Sequence, residues 1–63
     1  MRIDRFKLTT ELMRRDMTQK QLAEKAGVSR ATVNGIKSGR SCSEEVGKKI
    51  AKALGVDVTE IIE

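Results

Sequence analysis

The sequence predicts a compact all-α domain of five helices, and three observations carry that reading. Apolar residues recur at helical spacing along the chain. The stretches open on Asp, Thr or Ser and three of them close on glycine, the residues that start and stop helices. Phe6 is the only aromatic, so a core must be assembled from Leu, Ile, Val, Ala and Met, and no alternating strand pattern competes.

Asp4 caps a first helix running from Arg5 to about Arg15, with Phe6, Leu8, Leu12 and Met13 as its apolar residues. Arg14 and Arg15 fall at its C-terminal end, where cations suit the helix dipole. Thr18 and Gln21 have the spacing of a capping box, in which hydroxyl and side-chain amide each satisfy a free backbone amide. That box opens a second helix, Gln19 to Ala26, with Leu22, Ala23 and Ala26 on one face. Gly27 stops it by adopting the left-handed conformation, and Val28 is the buried hinge of a very short turn. Ser29 caps a third helix, Arg30 to about Ser38, whose core face is Val33 and Ile36 and whose terminator is Gly39. Ser43 caps a fourth, Glu44 to Leu54, with Val46, Ile50, Ala51 and Leu54 on one face and Gly55 at its end. Asp57 and Glu60 repeat the capping-box spacing and open a last turn carrying Val58, Ile61 and Ile62.

Sixty-three residues allow a single domain over 1–63, which buries only about 60% of the surface its unfolded chain exposes. The lone Cys42 has no internal disulfide partner, and without histidine there is no ligand set for zinc, so no metal or cofactor is expected. No apolar run is long enough to span a bilayer and no secretory signal opens the chain, which makes a cytoplasmic location the expectation. Catalysis is not expected either. There is no histidine, and Asp4, Glu11 and Asp16 read as surface helix charges rather than a paired acid and base.

Charge is unevenly placed. Residues 1–42 carry a balance of +6 and residues 43–63 a balance of −2, for a net charge of +4. Such a field attracts nucleic acid and anionic membrane alike. A membrane-active peptide would not need several capping signals and glycine-closed turns, so no membrane partner is expected.

Within Gln19–Lys37, QKQLAEKAGVSRATVNGIK, five linked positions make a helix-turn-helix constellation: Leu22, Ala23, Gly27, Val33 and Ile36. Ala23 is small so that two helices can cross closely, Gly27 permits the turn, and Val28, Val33 and Ile36 anchor the second helix on the first. From Leu8 to Ile62 the chain resembles the lambda-repressor-like, Cro-type family of transcription regulators, also called the xenobiotic-response-element family. The resemblance rests on TQKQLAEKAGVSRATV, on the SGR segment that follows, and on KKIAKALGV in the fourth helix. It implies a five-helix DNA-binding domain with helices 2 and 3 as the helix-turn-helix, and double-stranded DNA as the partner.

With Val33 and Ile36 facing inward, the helical period puts Ala31, Asn34 and Gly35 on the opposite face, flanked by Arg30 and Thr32. The resemblance implies that this helix enters the major groove N-terminus first, bringing Ser29, Arg30, Ala31 and Thr32 nearest the bases or their phosphates. Arg30 suits the two acceptors of a guanine edge, Asn34 the acceptor and donor of an adenine, and Ala31 a thymine methyl. The resemblance also implies a phosphate at the start of the second helix, where Gln19 is the candidate, and phosphates along the segment holding Lys37, Ser38 and Arg40.

Three positions depart from the family. Where relatives place an arginine and a glutamate in a partly buried ion pair, this chain has Leu12 and Lys37. Leu12 then makes the contact apolar, and Lys37 is expected to turn outward, free to reach a phosphate. Gly35 on an exposed helix face costs about 1 kcal/mol against alanine, which either serves close approach to DNA or is a tolerated weak spot. Cys42 stands where relatives often have proline and reads as a half-buried loop residue.

The expected function is that of a small repressor or switch protein binding an inverted repeat as a homodimer, with no small-molecule ligand. The apolar residues Val58, Ile61 and Ile62 either complete the core or form the dimer seam. The rival reading keeps the fold and changes the role to that of an antitoxin or phage accessory protein, which grips another protein through that C-terminal turn.

Overall fold

The computed structural model describes all 63 residues. Four α-helices follow one another: α1 Arg5–Arg14, α2 Gln19–Ala26, α3 Arg30–Lys37 and α4 Glu44–Leu54, with a 3-10 turn at Val58–Glu60. The five-helix expectation is corrected at its last member. Asp57 and Glu60 do form the capping box, but only three residues make the 3-10 turn before the chain reaches a bridge at Ile62. The cause is the chain's beginning, which the helical reading had left unplaced. Ile3 and Ile62 make an isolated antiparallel bridge. The Asp4 amide donates to the Ile61 carbonyl at 2.7 Å and the Glu63 amide to that of Arg2 at 3.1 Å. Pairing with residues 2–4 takes the backbone groups a further helical turn would need.

All five predicted caps are made. The side chains of Asp4, Thr18, Ser29, Ser43 and Asp57 each accept from a backbone amide two or three residues on. The residue before each cap is apolar, and each packs on the core: Ile3, Met17, Val28, Cys42 and Val56. This is the staple position, where an apolar side chain fixes the angle at which the chain enters its helix. It assigns Val28 and Cys42 one shared role, and corrects Val28 from buried to half-buried.

Around α2, which packs on both α3 and α4, twelve apolar residues form one core with no buried polar group. Leu8, Leu22, Val33, Ile50 and Ile61 have no exposed surface, each burial contributing about 1.5–3 kcal/mol. On α1 only Leu8 and Leu12 face inward. Phe6 and Met13 are 72% and 76% exposed, because their positions fall off the stripe that Leu8 and Leu12 define. The Arg5 guanidinium lies 5.3 Å from the Phe6 ring centroid, a cation–π arrangement at the surface.

The four α-helices end alike, with the chain turning through a left-handed residue whose amide and successor bond back to the last turn. Three of those residues are glycine; the fourth is Asp16, at φ 50°. A left-handed residue with a Cβ is strained, and a carboxylate beside the C-terminus of α1 opposes the helix dipole. Asp16→Gly is therefore expected to stabilise the domain by about 1 kcal/mol, raising Tm by about 8 °C in thermal unfolding followed by circular dichroism. An unchanged or lower Tm would mean that the turn carries no strain.

Two carboxylates are held below their ordinary values of 4.5 and 3.8. Glu11 is lowered first by its hydrogen bond from Arg15 at 2.6 Å. Asp57 is lowered by the Thr59 amide and hydroxyl at 2.9 and 2.8 Å. A depressed carboxylate stabilises the fold above its unfolded pKa, and the contribution is lost as pH falls through the folded one. Stability is thus expected to hold from neutral pH down to about 4.5 and to decline below it. Glu11→Gln should flatten the upper part of that decline in urea titrations at stepped pH.

Candidate nucleic-acid interface

The α2–turn–α3 unit is built as its residues require. Ala23, 4% exposed, sits where α2 meets α3, and Val33 and Ile36 turn fully inward. Gly27 holds φ 73° and its neighbour's amide reaches back to the Ala23 carbonyl at 3.1 Å. The remaining side of α3 is left to solvent. Arg30, Ala31 and Asn34 are exposed there, and neither the Arg30 guanidinium nor the Asn34 amide has a hydrogen-bond partner in the chain. Both groups are free to bond something else.

Ser29 and Thr32 differ in kind. Ser29 Oγ accepts from the Thr32 amide at 3.1 Å, and the two hydroxyls lie 2.8 Å apart. They serve the N-terminus of α3 first, and Thr32 is half-buried. Thr18 is likewise committed to its capping box, giving and taking with Gln21 at 2.9 and 3.1 Å. Gln19 is half-buried with its side-chain amide unpartnered, and the backbone amides of Gln19 and Lys20 have no acceptor within the chain. The start of α2 thus offers donors and the positive end of a dipole to an anion.

Lys37 does not turn outward as expected. Its side chain leaves the last turn of α3 toward α1, is half-buried, and donates from Nζ to Thr9 Oγ1 at 2.7 Å. Thr9 in turn donates to the Arg5 carbonyl at 2.7 Å. With Leu12 buried beside it, Lys37 forms no ion pair, although Asp16 borders the same depression, and the threonine hydroxyl is the acceptor its stem reaches. The bond ties α3 to α1. It also leaves the Lys37 ammonium on the rim of a shallow depression shared with Met17, Thr18 and Gln19, with donors to spare for a group lying at the start of α2.

Arg40 is exposed, its backbone amide bonded to the Gly35 carbonyl at 3.0 Å and its aliphatic stem against Gly35. Gly35 therefore has a neighbour that the sequence could not announce.

The electrostatics of this face follow from composition and pairing. Residues 29–42 contain three cations and no acid. The one acid within α1, Glu11, is held by Arg14 and Arg15 at 3.3 and 2.6 Å. Glu45 and Glu63 pair with Lys49 and Arg2 at 3.4 and 3.3 Å. Positive charge is left unopposed along α3 and the segment after it.

The three C-terminal residues separate. Ile61 belongs wholly to the core, so it contributes no surface to a seam, while Val58 and Ile62 are half-buried. Cys42 is half-buried and its thiol is pushed up by burial. No helix is long and apolar enough to cross a membrane, and no three His, Cys, Asp or Glu side chains gather to hold a metal ion.

Two comparisons bear on this arrangement, and a third, with curated proteins, returns no match. Among solved structures, a mutant hydroxyethylphosphonate dioxygenase superposes on all of this chain with a TM-score of 0.88 at 27% identity. Native PhpD with cadmium does so at 0.86, also with 27% identity. The chain spans 14% of the length of those proteins. The helix-turn-helix family model HTH_3 matches residues 10–61, from within α1 to the end of the core. With four helices, capped and crossed as described, around an exposed and acid-free α3, the chain belongs to this Cro/C1-type helix-turn-helix family of DNA-binding domains.

Proposed function

We propose that this protein regulates transcription by binding double-stranded DNA, as a small repressor or switch protein whose dimer reads an inverted repeat. One observation carries the reading. Unpartnered groups of the right chemistry, Arg30, Asn34 and the first amides of α2, lie together beside an α3 that carries no acid, with Asp16 the one carboxylate bordering the start of α2. In this reading α3 lies in the major groove. Arg30 takes a guanine edge, Asn34 an adenine, and Ala31 contacts a thymine methyl. The start of α2, with Gln19 and Lys37, holds a phosphate and so fixes the register of α3. Ser29 and Thr32 act mainly by shaping the end of α3 that enters the groove.

A single α3 reads few bases, and two copies on a symmetric site roughly square the discrimination. Val58 and Ile62 are the half-buried apolar groups that a seam near the C-terminus would use. In this reading occupancy of DNA, rather than chemistry, is the protein's effect.

A second reading is favoured by one observation: the same fold forms part of the dioxygenase chains. In this second reading the domain's use is contact with protein, as in an antitoxin or phage accessory factor. Selection of bound sequences from a random duplex pool at about 0.15 M salt separates the two. An enriched inverted repeat is expected. Recovery of no motif, with all binding lost as salt rises, would leave only a non-specific basic face and favour the protein-contact reading.

A further inference from the structure

Gly35 sits in the last turn of an eight-residue helix, a place where glycine weakens the helix. Neither close approach to DNA nor a tolerated weak spot accounts for what lies over it. A methyl group built on Gly35 would stand 3.3 Å from Arg40 Cδ and 3.9 Å from Arg40 Cβ. The arginine stem therefore runs across the outer side of α3 at the one position without a side chain. Its root is fixed as well. Gly39 turns at φ 97°, and the Arg40 amide returns to the Gly35 carbonyl at 3.0 Å. Arg40 borders the two shallow hollows on either side of Ala31 and Gly35, one reaching Asn34 and Ser38, the other Ser41 and Ser43. Its guanidinium bonds nothing in the chain.

An arginine that serves only a phosphate needs no fixed stem, since such contact tolerates many rotamers and carries no sequence information. A base edge demands the planar fork in one place and one plane. We propose that Arg40, laid across Gly35, reads a base: from the segment after α3 it supplies the donor pair that position 35 lacks, and it takes guanine O6 and N7 beside the bases contacted by Arg30 and Asn34. Gly35 is then a positioning residue for Arg40. The proposal rests on the DNA-binding reading above and assigns it a further specificity determinant.

A double-mutant cycle tests it. Affinities of the unaltered protein, Gly35→Ala, Arg40→Ala and the double variant are measured on the selected duplex and on its single-base-pair variants, over a range of salt. Arg40→Ala is expected to lose about 5- to 150-fold on the selected duplex and to abolish preference at one base pair per half-site. Gly35→Ala should lose part of that same preference while its Tm holds or rises, because alanine favours the helix. In the Arg40→Ala background, Gly35→Ala should cost nothing more.

Uniform weakening by Arg40→Ala across all duplexes, with a salt slope shallower by about one, would make Arg40 a phosphate contact and overturn the proposal. So would a Gly35→Ala cost of equal size with and without Arg40, which would mean that DNA itself approaches Gly35. Full preference retained in Gly35→Ala would overturn it too. An unaltered protein with no sequence preference would remove the DNA-binding reading, and the proposal with it; the other three outcomes leave that reading standing.

Discussion

Arg30→Ala is expected to lower affinity for the selected duplex about 5- to 150-fold and to erase preference at one base pair per half-site, corresponding to about 1–3 kcal/mol for a bidentate guanine contact. Its Tm should not move. Arg30 is exposed and bonds no other side chain, so removing it opens no cavity and strands no partner. Affinity for unrelated duplexes should fall far less, which separates a base contact from loss of general positive charge. Asn34→Ala should behave alike at a different base pair. Competition binding against a panel of single-base-pair variants checks both. Equal losses on every duplex would assign Arg30 to the phosphates.

Ile36→Ala should have the larger effect on the protein itself. Ile36 is 1% exposed and, with Val33, forms the whole inward face of α3. Truncating a buried isoleucine to alanine costs about 2–5 kcal/mol. A domain of this size has only about 3–9 kcal/mol of stability in all. The variant should unfold at much lower urea concentration, with a sizeable unfolded fraction near 37 °C. DNA binding should fall in step with the folded population, and adding excess duplex should restore both. Base preferences of the bound fraction should not change. A stable Ile36→Ala protein with altered preferences would mean that α3 is seated differently from the packing described.

Much of this was legible in the sequence because it is local. A Ser, Thr or Asp cap, a Gln or Glu three residues on, and a glycine at the far end all act within a turn of the helix they bound. The start of every helix and the end of α2 and α4 therefore coincide with the reading. Leu22, Ala23, Val33 and Ile36 were legible through their 3.6-residue period. What escaped depends on residues far apart. Ile3 is buried by a bridge to Ile62, although its place before the Asp4 cap carried the staple signal. The last helix shrank to one turn for the same reason. Asp16 fills a left-handed position usually given to glycine, so the end of α1 lacked its usual mark.

The binding face shows the same division. Its exposed members, Arg30, Ala31 and Asn34, follow from the wheel once Val33 and Ile36 are inward. Lys37 does not, because its direction depends on Thr9, twenty-eight positions earlier. The contact between Arg40 and Gly35 depends on how the chain folds back after Gly39. Assignment of Ile61 to the core rather than to a dimer seam needed the packing of α4 against the 3-10 turn.

The most direct test of the central claim, that α3 and the start of α2 form the DNA-binding face, is amide chemical-shift mapping of the 15N-labelled protein titrated with the selected duplex. The expected result is a contiguous set of shifted amides at Gln19, Lys20, Arg30, Ala31, Asn34 and Arg40, with Lys49 and Lys52 on α4 unmoved. Perturbations confined to the C-terminal turn around Val58 and Ile62, with those α2 and α3 amides unchanged, would contradict it.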